Sequence, residues 1–464
     1  MGRCDRWCPT ERQPWDLTDD DVSGAIARIS KHDEELAREA QHVYDTLTWG
    51  EGPGQLRRAG VQDWLWYRVP TKYMTNEVGY KGRLADTAAA LFDELGLDGY
   101  AALCRDERTA AVHAAFDRSD ADGFEAMRTA RDASGIEPPD LDDFVWGQTM
   151  GMEEATAHAT VEDALEAALD AGDLVVGGRA WRVRQRDITA AALDGNHPTE
   201  PGQSWRTTVV TERISEWVRA ASVRSDRVGR RRAAIANRLL HPIDPPAHLA
   251  EHMDPATRLL DLFGDQQPLT QAGYLNRPFV VRVHEQQPWE DPFRTPRTPR
   301  SETDEIVLHR LRGWLESAGA LRKRGKVLRR TERGAAMTND PLIAWATLIH
   351  SVAPEGWDRF VIDDAAEILI ERGAPVVTGD LFDEIATDAA DLGWRTNDGG
   401  AQRAPSVDDV RRAFHNSWAL LDLFGFATEH GDWRNRAVSV PPAGESTLLA
   451  TLRAGAAGPK PRPW

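Results

Sequence analysis

Residues 303–337 read TDEIVLHRLRGWLESAGALRKRGKVLRRTERGAAM, and this stretch decides the predicted fold class. Thr303 can cap a helix whose apolar side chains recur at helical spacing on one face: Val307, Leu311, Trp314, Leu315 and Ala318. Gly319 follows at the place where a residue in the left-handed conformation commonly ends a helix. The pattern therefore predicts an amphipathic helix that stops at a glycine.

The residues after this glycine predict a short β-hairpin with a strongly basic surface. Gly325 supplies the positive φ of a tight turn that would bring Leu321 near Leu328, and Thr331 can cap the next helix. Six basic side chains of this hairpin are the candidate nucleic-acid contacts: Arg322, Lys323, Arg324, Lys326, Arg329 and Arg330. Helix, hairpin and capped helix in this order predict the second half of a winged-helix module, a helix-turn-helix-like fold whose hairpin is the wing.

The same pattern recurs along the chain, which predicts an internal repeat. Aligning Gly425 with Gly319 superimposes two apolar helical faces, and a strand pair is expected around 426–440. A further unit is expected earlier, where a helix ends at Gly172 and residues 174–183 would form a hairpin. Three helix–hairpin units among otherwise helical patterns predict a mainly α, multi-helical fold with small β-hairpins.

The charge is divided unevenly along the chain. Residues 1–180 carry 18 basic and 36 acidic side chains, residues 181–339 carry 27 and 19, and residues 340–464 carry 11 and 19. The net charge of −18 therefore conceals a basic middle flanked by acidic ends. This middle could bind DNA or another anionic partner, or it could attract the acidic parts of the same chain. Both interpretations stay open.

These patterns predict three domains and a tail. Residues 1–195 form an acidic helical domain that ends in a helix–hairpin unit. Residues 205–340 form a basic helical and winged-helix-like domain, and residues 341–454 form a C-terminal winged-helix-like domain. Residues 455–464 are predicted to be a disordered tail, because they are rich in glycine, alanine and proline.

The composition bears on the compartment. No apolar run approaches the roughly 18 residues that a membrane helix needs, and the first residues lack the apolar core of a secretory signal. Three cysteines are too few for a disulfide scaffold and suit a reducing compartment. We therefore expect a cytoplasmic protein with no membrane partner. A protein partner is compatible with the same composition.

Other patterns carry weaker hypotheses. A long helix is expected over about 206–240, and its nine arginines could bind phosphates or pack against acidic segments. His248, Glu251 and His252 match His-x-x-Glu-His, but no third ligand is marked, so no metal site is predicted. The aromatic and basic stretch 64–83 could stack on bases or bind an anion, but the interpretation as a packing seam is favoured because aromatic side chains are mostly buried. Because no catalytic motif is present, neither an enzyme nor a cofactor is expected.

Two segments carry a resemblance to a known group. RLLDLFGDQQPLTQAGYL (258–275) and LESAGALRKRGKVLRRTERG (315–334) resemble the C-terminal region of an uncharacterised, largely actinobacterial group related to the plasmid pRi ORF-three-like proteins. The resemblance covers about 254–345 and implies a winged-helix-like fold there. It implies no activity.

The favoured function is a winged-helix nucleic-acid-binding protein, with a regulatory role, that contacts phosphates through the basic wing. The helix before the wing is too apolar to read base edges, since chiefly His309, Arg310, Arg312 and Glu316 would lie outside. The alternative is a non-enzymatic interaction or scaffold protein whose winged modules pack on one another.

Overall fold

The protein is mainly α-helical. The computed structural model describes the following residues: 12–73, 79–286, 297–398, 401–431 and 435–460. Within these residues helices dominate, and every sheet is small and antiparallel. The predicted mainly α, multi-helical class is therefore confirmed.

The chain divides into two compact units. The first comprises Met1–Trp146 and Met152–Thr208, and the second comprises Gly147–Gly151 and Val209–Trp464. Each unit has a hydrophobic core of its own. The boundaries expected near 195–205 and at 340 stay predictions.

The described part of the first unit is built from helices joined by turns and loops, of which the longest lies between Asp132 and Met152. Side chains fix several helix starts by accepting hydrogen bonds from free backbone N–H groups: Thr18 caps the first helix and Ser119 caps the eighth. The helices are α1 (Asp19–Ser30), α2 (Glu34–Thr48), α3 (Arg58–Asp63), α4 (Val69–Lys72), α5 (Tyr80–Leu95), α6 (Asp98–Cys104), α7 (Glu107–Phe116), α8 (Asp120–Asp132), α9 (Met152–Asp170) and α10 (Trp181–Leu193).

The aromatic stretch 64–83 contributes to the core of the first unit. Trp64 and Trp66 are almost completely buried, and the indole Nε1 of Trp66 donates to Thr109 Oγ1 at 2.9 Å. The backbone from Trp64 to Arg68 is wound as a π-helix. These buried indoles, whose N–H donors are hydrogen-bonded, form a packing seam, as interpreted from the sequence. Residues 74–78 of the stretch lie outside the described part.

The hairpin expected at 174–183 is wrong. Gly172 does end α9 with a φ of 74°, but the residues that follow form turns, and Trp181 already begins α10. A tertiary contact explains why a helix begins here instead of a second strand. The buried side-chain amide of Gln185 donates to the carbonyl oxygens of Gly135 and Glu137 at 3.1 and 2.9 Å, which holds this part of the chain as a helix. The first domain therefore does not end in a helix–hairpin unit.

The second unit contains the remaining helices. The long helix expected over 206–240 is broken at residues 223–225. The helices are α11 (Trp205–Ser222, which begins in the first unit), α12 (Asp226–Leu239), α13 (Leu249–Phe263), α14 (Arg277–Gln286), α15 (Ile306–Ser317), α16 (Glu332–Asn339), α17 (Pro341–Ser351), α18 (Trp357–Arg372), α19 (Thr378–Asp391), α20 (Val407–Leu423) and α21 (Pro442–Ala456).

Two three-stranded sheets of the second unit share one strand order. The strands are β1 (Gln266–Pro268), β2 (Leu321–Arg324), β3 (Val327–Arg330), β4 (Val376–Val377), β5 (Thr396–Asp398), β6 (Ala401–Arg403), β7 (Thr428–His430) and β8 (Ala437–Ser439). The orders are β1-β3-β2 and β4-β8-β7, while β5 and β6 form a separate ribbon. In each three-stranded sheet the last strand of the chain lies between the other two. The series α13, β1, α14, α15, β2, β3 therefore has the same element order as α18, β4, α19, α20, β7, β8 if the ribbon is set aside.

Both series contribute to one hydrophobic core. Leu308 of α15 and Phe414 of α20, which occupy the same position when Gly425 is aligned with Gly319, are both fully buried. The Trp314 ring meets the Phe424 ring edge-on with 5.5 Å between centroids. The His252 Nδ1 donates to the Phe424 carbonyl oxygen at 2.8 Å. The end of α20 is therefore packed against α13 and α15.

A buried ionic network joins α12 to α18 and α19. The guanidinium of Arg231 is 1% exposed and donates to Asp364 and, at 2.7 Å, to Asp388. Arg232 donates to Glu367 at 3.0 Å, and Arg227 donates to Asp388. Three arginines of the basic helix thus neutralise carboxylates of the acidic C-terminal third. They are not free for phosphates.

The predicted disordered tail at 455–464 is wrong for its first part. The helix α21 continues to Ala456, and the Arg213 guanidinium donates to the Ala457 carbonyl oxygen at 2.9 Å. The backbone N–H of Gln148 donates to the Lys460 carbonyl oxygen at 2.9 Å. These contacts hold residues up to 460 in the second unit, and residues 461–464 lie outside the described part.

Candidate nucleic-acid interface

The basic hairpin consists of β2 and β3, joined by a two-residue turn. Arg324 pairs with Val327 across the turn, and Gly325 has a φ of 61°, which suits a glycine. The strand β3 also pairs with β1 on its other side. The predicted hairpin, with glycine at its turn, is therefore present and belongs to a three-stranded sheet.

The two faces of the hairpin have different chemistry. Directly opposed residues share a face, so Leu321 with Arg330 and Lys323 with Leu328 define the inner face. Both leucines are buried on this face, where the register makes them diagonal neighbours, as expected from the prediction that the turn brings Leu321 near Leu328. The other face carries three arginines: Arg322 and Arg329, which are directly opposed, and Arg324.

Most of the candidate contacts have no partner of their own. In the described part of the chain, only one of the six predicted side chains, that of Arg330, is paired. Its Nη2 lies 3.3 Å from Asp265 Oδ1, and its Nη1 donates to the Leu260 carbonyl oxygen at 3.4 Å. The side chains of the other five are exposed and make neither an ion pair nor a hydrogen bond with any residue that the structure describes: Arg322, Lys323, Arg324, Lys326 and Arg329. The structure thus brings all six residues to one hairpin and leaves five cations available.

The turn that follows β1 lies beside the hairpin. The Leu269 N–H donates to the Lys326 carbonyl oxygen at 2.8 Å, and the Thr270 N–H donates to the Tyr274 carbonyl oxygen at the same distance. At Gly273 the φ is 86°, and an added Cβ would lie 3.3 Å from the Lys323 Nζ. The uncharged 269–275 turn therefore borders the basic hairpin, and Tyr274 is partly exposed on it.

The helix before the hairpin begins later than predicted. Ser301, rather than Thr303, occupies the capping position, and it caps a 3-10 turn at Glu302–Asp304. The helix α15 then starts at Ile306. The sequence contains several residues that can cap a helix here, and the structure uses Ser301 to cap the 3-10 turn that precedes α15.

Arg312 does not lie outside, contrary to the prediction. Its side chain is buried and donates to Glu302 at 2.6 Å, to Glu316 at 2.6 Å and to the Gly273 carbonyl oxygen at 3.0 Å. The exposed positions of α15 are instead Ile306, His309, Arg310, Gly313 and Ser317. Arg310 is therefore the one arginine that this helix presents to solvent.

Glu302 is a positioning residue that the sequence did not reveal. Its carboxylate is fully buried and accepts from Arg312 and from the Leu275 N–H at 2.6 Å, while His309 Nδ1 lies 2.9 Å from its second oxygen. Three partners offset the cost of burying the charge. This carboxylate ties the 269–275 turn to α15, and no local pattern in the sequence distinguishes it from neighbouring acids.

The His-x-x-Glu-His pattern has a structural role. His248 precedes α13 with a φ of 57°, is exposed, and lies 3.4 Å from Glu251. His252 is directed instead to the Phe424 carbonyl oxygen. Cys4 and Cys8 lie outside the described residues. Within the described ranges, no three His, Cys, Asp or Glu side chains are grouped so that they could hold a metal ion.

Comparisons with protein-family models, with curated proteins and with solved structures gave no match to this chain. Among the described helices, none has both the length and the apolar character needed to cross a membrane. A function for the protein must therefore be inferred from the geometry of the hairpin.

Proposed function

We propose that this protein binds nucleic acid, without catalysing a reaction, by placing the β2–β3 hairpin against the phosphate backbone. The observation that carries the proposal is the set of five exposed hairpin cations that have no partner within the described ranges. Elsewhere in the second unit arginines such as Arg231 and Arg312 are committed to carboxylates. Exposed cations grouped on one hairpin can neutralise DNA phosphates and so release the counterions bound to them. The low cysteine content supports a cytoplasmic setting for this role.

The proposal includes a fold assignment. The order α13, β1, α14, α15, β2, β3 with the sheet order β1-β3-β2 supports a winged-helix module in which α14 and α15 form the helix-turn-helix-like part. The parallel order from α18 to β8 supports a second module and hence an internal repeat. The resemblance over about 254–345 to the plasmid pRi ORF-three-like group is part of the same proposal.

The proposed contact is to phosphates rather than to base edges. The exposed face of α15 includes Ile306, which is 38% exposed, and Gly313, neither of which can donate to a base. His309 is engaged by Glu302. The hairpin, in contrast, offers guanidinium groups, which bind phosphate oxygens well. Binding with little sequence preference is therefore expected.

Salt dependence tests this function. We would measure the affinity for a fluorescent 20-base-pair duplex from 50 to 300 mM NaCl, for wild type and for the variant R322Q/R324Q/K326Q. Removing one phosphate contact should lower the slope of log affinity against log salt by about 0.9. The matched control is R179Q/R184Q/R230Q, which removes three exposed arginines that have no ionic partner among the described residues. No binding at 50 mM NaCl, or equal slopes for both triple variants, would overturn the proposal.

A second candidate function is an interaction or scaffold role. The contact between Trp314 and Phe424 favours it, because the two proposed modules share a core instead of standing apart. The pairing of α12 arginines with acidic residues of α18 and α19 supports the same idea. If DNA does not bind, analytical ultracentrifugation over a range of concentrations would test self-association, the simplest form of this role.

A further inference from the structure

A polar cavity of about 300 Å³ lies within the first unit, remote in sequence from the basic hairpin. It is formed by α3, α9, the end of α8 and the residues just after α8. The charged and polar side chains that line it are Gln62, Asp63, Arg131, Glu137, His158 and Glu162. These side chains differ in the number of hydrogen bonds and ion pairs that they make. The groups with few partners indicate which kind of ligand the cavity would bind.

Gln62 is the least satisfied of these groups. It is 7% exposed, and the surface that it keeps lines the cavity. Its side-chain amide has no hydrogen-bond partner among the described residues. The side-chain amide is not one of the fully buried polar atoms that lack a partner, so its nitrogen and oxygen stay accessible to a molecule held in the cavity. An amide of this kind that borders a cavity indicates a bound group that donates to it or accepts from it.

His158 lies between two carboxylates. Its Nδ1 is 3.4 Å from Glu162 Oε1, and its Nε2 is 4.0 Å from Glu137 Oε1. A neutral imidazole has one N–H donor, and ionised carboxylates only accept. Among the described residues, His158 makes no hydrogen bond to either carboxylate at these separations. Glu137 and Glu162 therefore each keep acceptor positions that a donor held in the cavity can fill.

The remaining charges of the cavity are already paired. Asp63 accepts from Arg131 at 2.9 Å and from Arg68 at 3.1 Å. The surplus negative charge is therefore carried by Glu137 and Glu162. Burial raises the pKa of Glu137, which is the response of a carboxyl group that lacks a sufficient counter-charge.

The position of Glu137 is set by its backbone. Its carbonyl oxygen accepts from the buried amide of Gln185 at 2.9 Å, and the adjacent Ile136 is buried against the same cavity. The site thus combines fixed acceptors with an apolar wall. A bare metal ion is not indicated, since the described residues contain no grouping of ligands suited to one.

We propose that this cavity binds a primary alkylammonium group. The three ammonium hydrogens would donate to Glu137, to Glu162 and to the amide oxygen of Gln62, and the alkyl stem would lie against Ile136. A free diamine and a lysine side chain share this chemistry. The cavity is separate from the basic hairpin, so this proposal and the proposed nucleic-acid function can fail independently.

Titration calorimetry on the full chain tests the site. The probes are 1,4-diaminobutane, Nα-acetyl-lysine amide and, as a neutral analogue of equal length, 1,4-butanediol. Both amines, or the diamine alone if the site takes free polyamines, should bind at millimolar or lower concentration, and the diol should not. The substitutions Glu137→Gln and Gln62→Ala should each weaken amine binding, the former at least about tenfold, because a charge-assisted hydrogen bond is removed.

The control substitution is Glu107→Gln, an exposed acid of α7 outside the cavity. It should leave amine affinity unchanged, which separates a built site from general attraction to an acidic surface. Unfolding temperatures measured without ligand show whether each variant is folded. The proposal is overturned if wild type binds neither amine, if the diol binds as tightly, or if a folded Glu137→Gln variant keeps wild-type affinity.

Discussion

Arg322 lies directly opposite Arg329 in the register of β2 and β3. Like charges at opposed positions of an antiparallel pair destabilise it, by about 0.2–1 kcal/mol. No carboxylate in the described part of the chain pairs with either guanidinium. This arrangement is unfavourable in the free protein and becomes favourable when an anion lies across both side chains.

The opposed arginines predict that removing one of them stabilises the fold, although it also removes a proposed phosphate contact. The substitution Arg322→Thr should raise the free energy of unfolding by about 0.5 kcal/mol, because it removes the repulsion and threonine suits a strand. The gain should shrink at 500 mM NaCl through screening. Urea unfolding at low and high salt measures it. The control is Arg324→Thr, whose opposed residue is Val327. Equal stabilisation by both substitutions would refute the explanation.

The buried position of Arg231 predicts a large loss of stability on its removal. Arg231→Met removes the ion-pair partner of the buried Asp364 and, within the described residues, leaves the buried Asp388 with Arg227 alone, so unfolding should become easier by about 3–5 kcal/mol. Its exposed neighbour provides the control, since Arg230→Met should cost less than about 0.5 kcal/mol. Chemical unfolding monitored by circular dichroism compares the two. A cost below 1 kcal/mol for Arg231→Met would show that the network is not important for stability.

Glu367 predicts a dependence of stability on pH. Burial raises the pKa of Glu367 from 4.5 to about 7, so the folded state holds a proton that the unfolded state has released between these values. The stability that Glu367 contributes is complete below about pH 4.5 and is lost as the pH rises through 7. The free energy of unfolding of Glu367→Gln, relative to that of wild type, should therefore increase as the pH rises from 5 to 8, by on the order of 2 kcal/mol.

Thermal unfolding across this pH range measures the difference between wild type and Glu367→Gln. The control is Glu371→Gln, an exposed acid on the same helix. Its difference from wild type should stay constant over the range. If Glu367→Gln also shows no trend with pH, Glu367 does not bind a proton in the folded protein near neutrality.

The contact between Trp314 and Phe424 predicts that α15 and the end of α20 unfold together. Each substitution to alanine should cost about 3–5 kcal/mol, and the double-mutant cycle should show a coupling of about 1 kcal/mol. The comparison pair is Trp314 with Phe382, which packs on Phe414 instead and should be additive. Two separate unfolding transitions of the second unit would contradict this prediction.

The local features of the hairpin were predictable because short-range rules determine them. Gly319 and Gly425 have φ values of 73° and 68°, as expected for residues that end helices. The approach of Leu321 to Leu328 follows from the turn at Gly325. In these cases the residues that decide the geometry lie within a few positions of one another, so the sequence contains the information in readable form.

The features that the sequence missed depend on distant partners. The charge pattern showed an arginine-rich helix but could not show that Arg231 meets Asp364, 133 residues away. Gln185 holds the start of α10 through carbonyl groups about 50 residues earlier, which overrides the strand-like pattern at 174–183. Glu302 and Gln62 are similar cases. Their importance arises from burial, and burial is a property of the folded chain.

The strand β2 lies at the edge of its sheet, paired on one side to β3, while β3 is covered on both sides. An edge strand can recruit a strand from another molecule, and charged side chains are a common protection against this. Arg322, Lys323 and Arg324 occupy three of the four positions of β2. The cations proposed to hold DNA would therefore also guard against aggregation, and replacing them with apolar residues should lower solubility even where no nucleic acid is present.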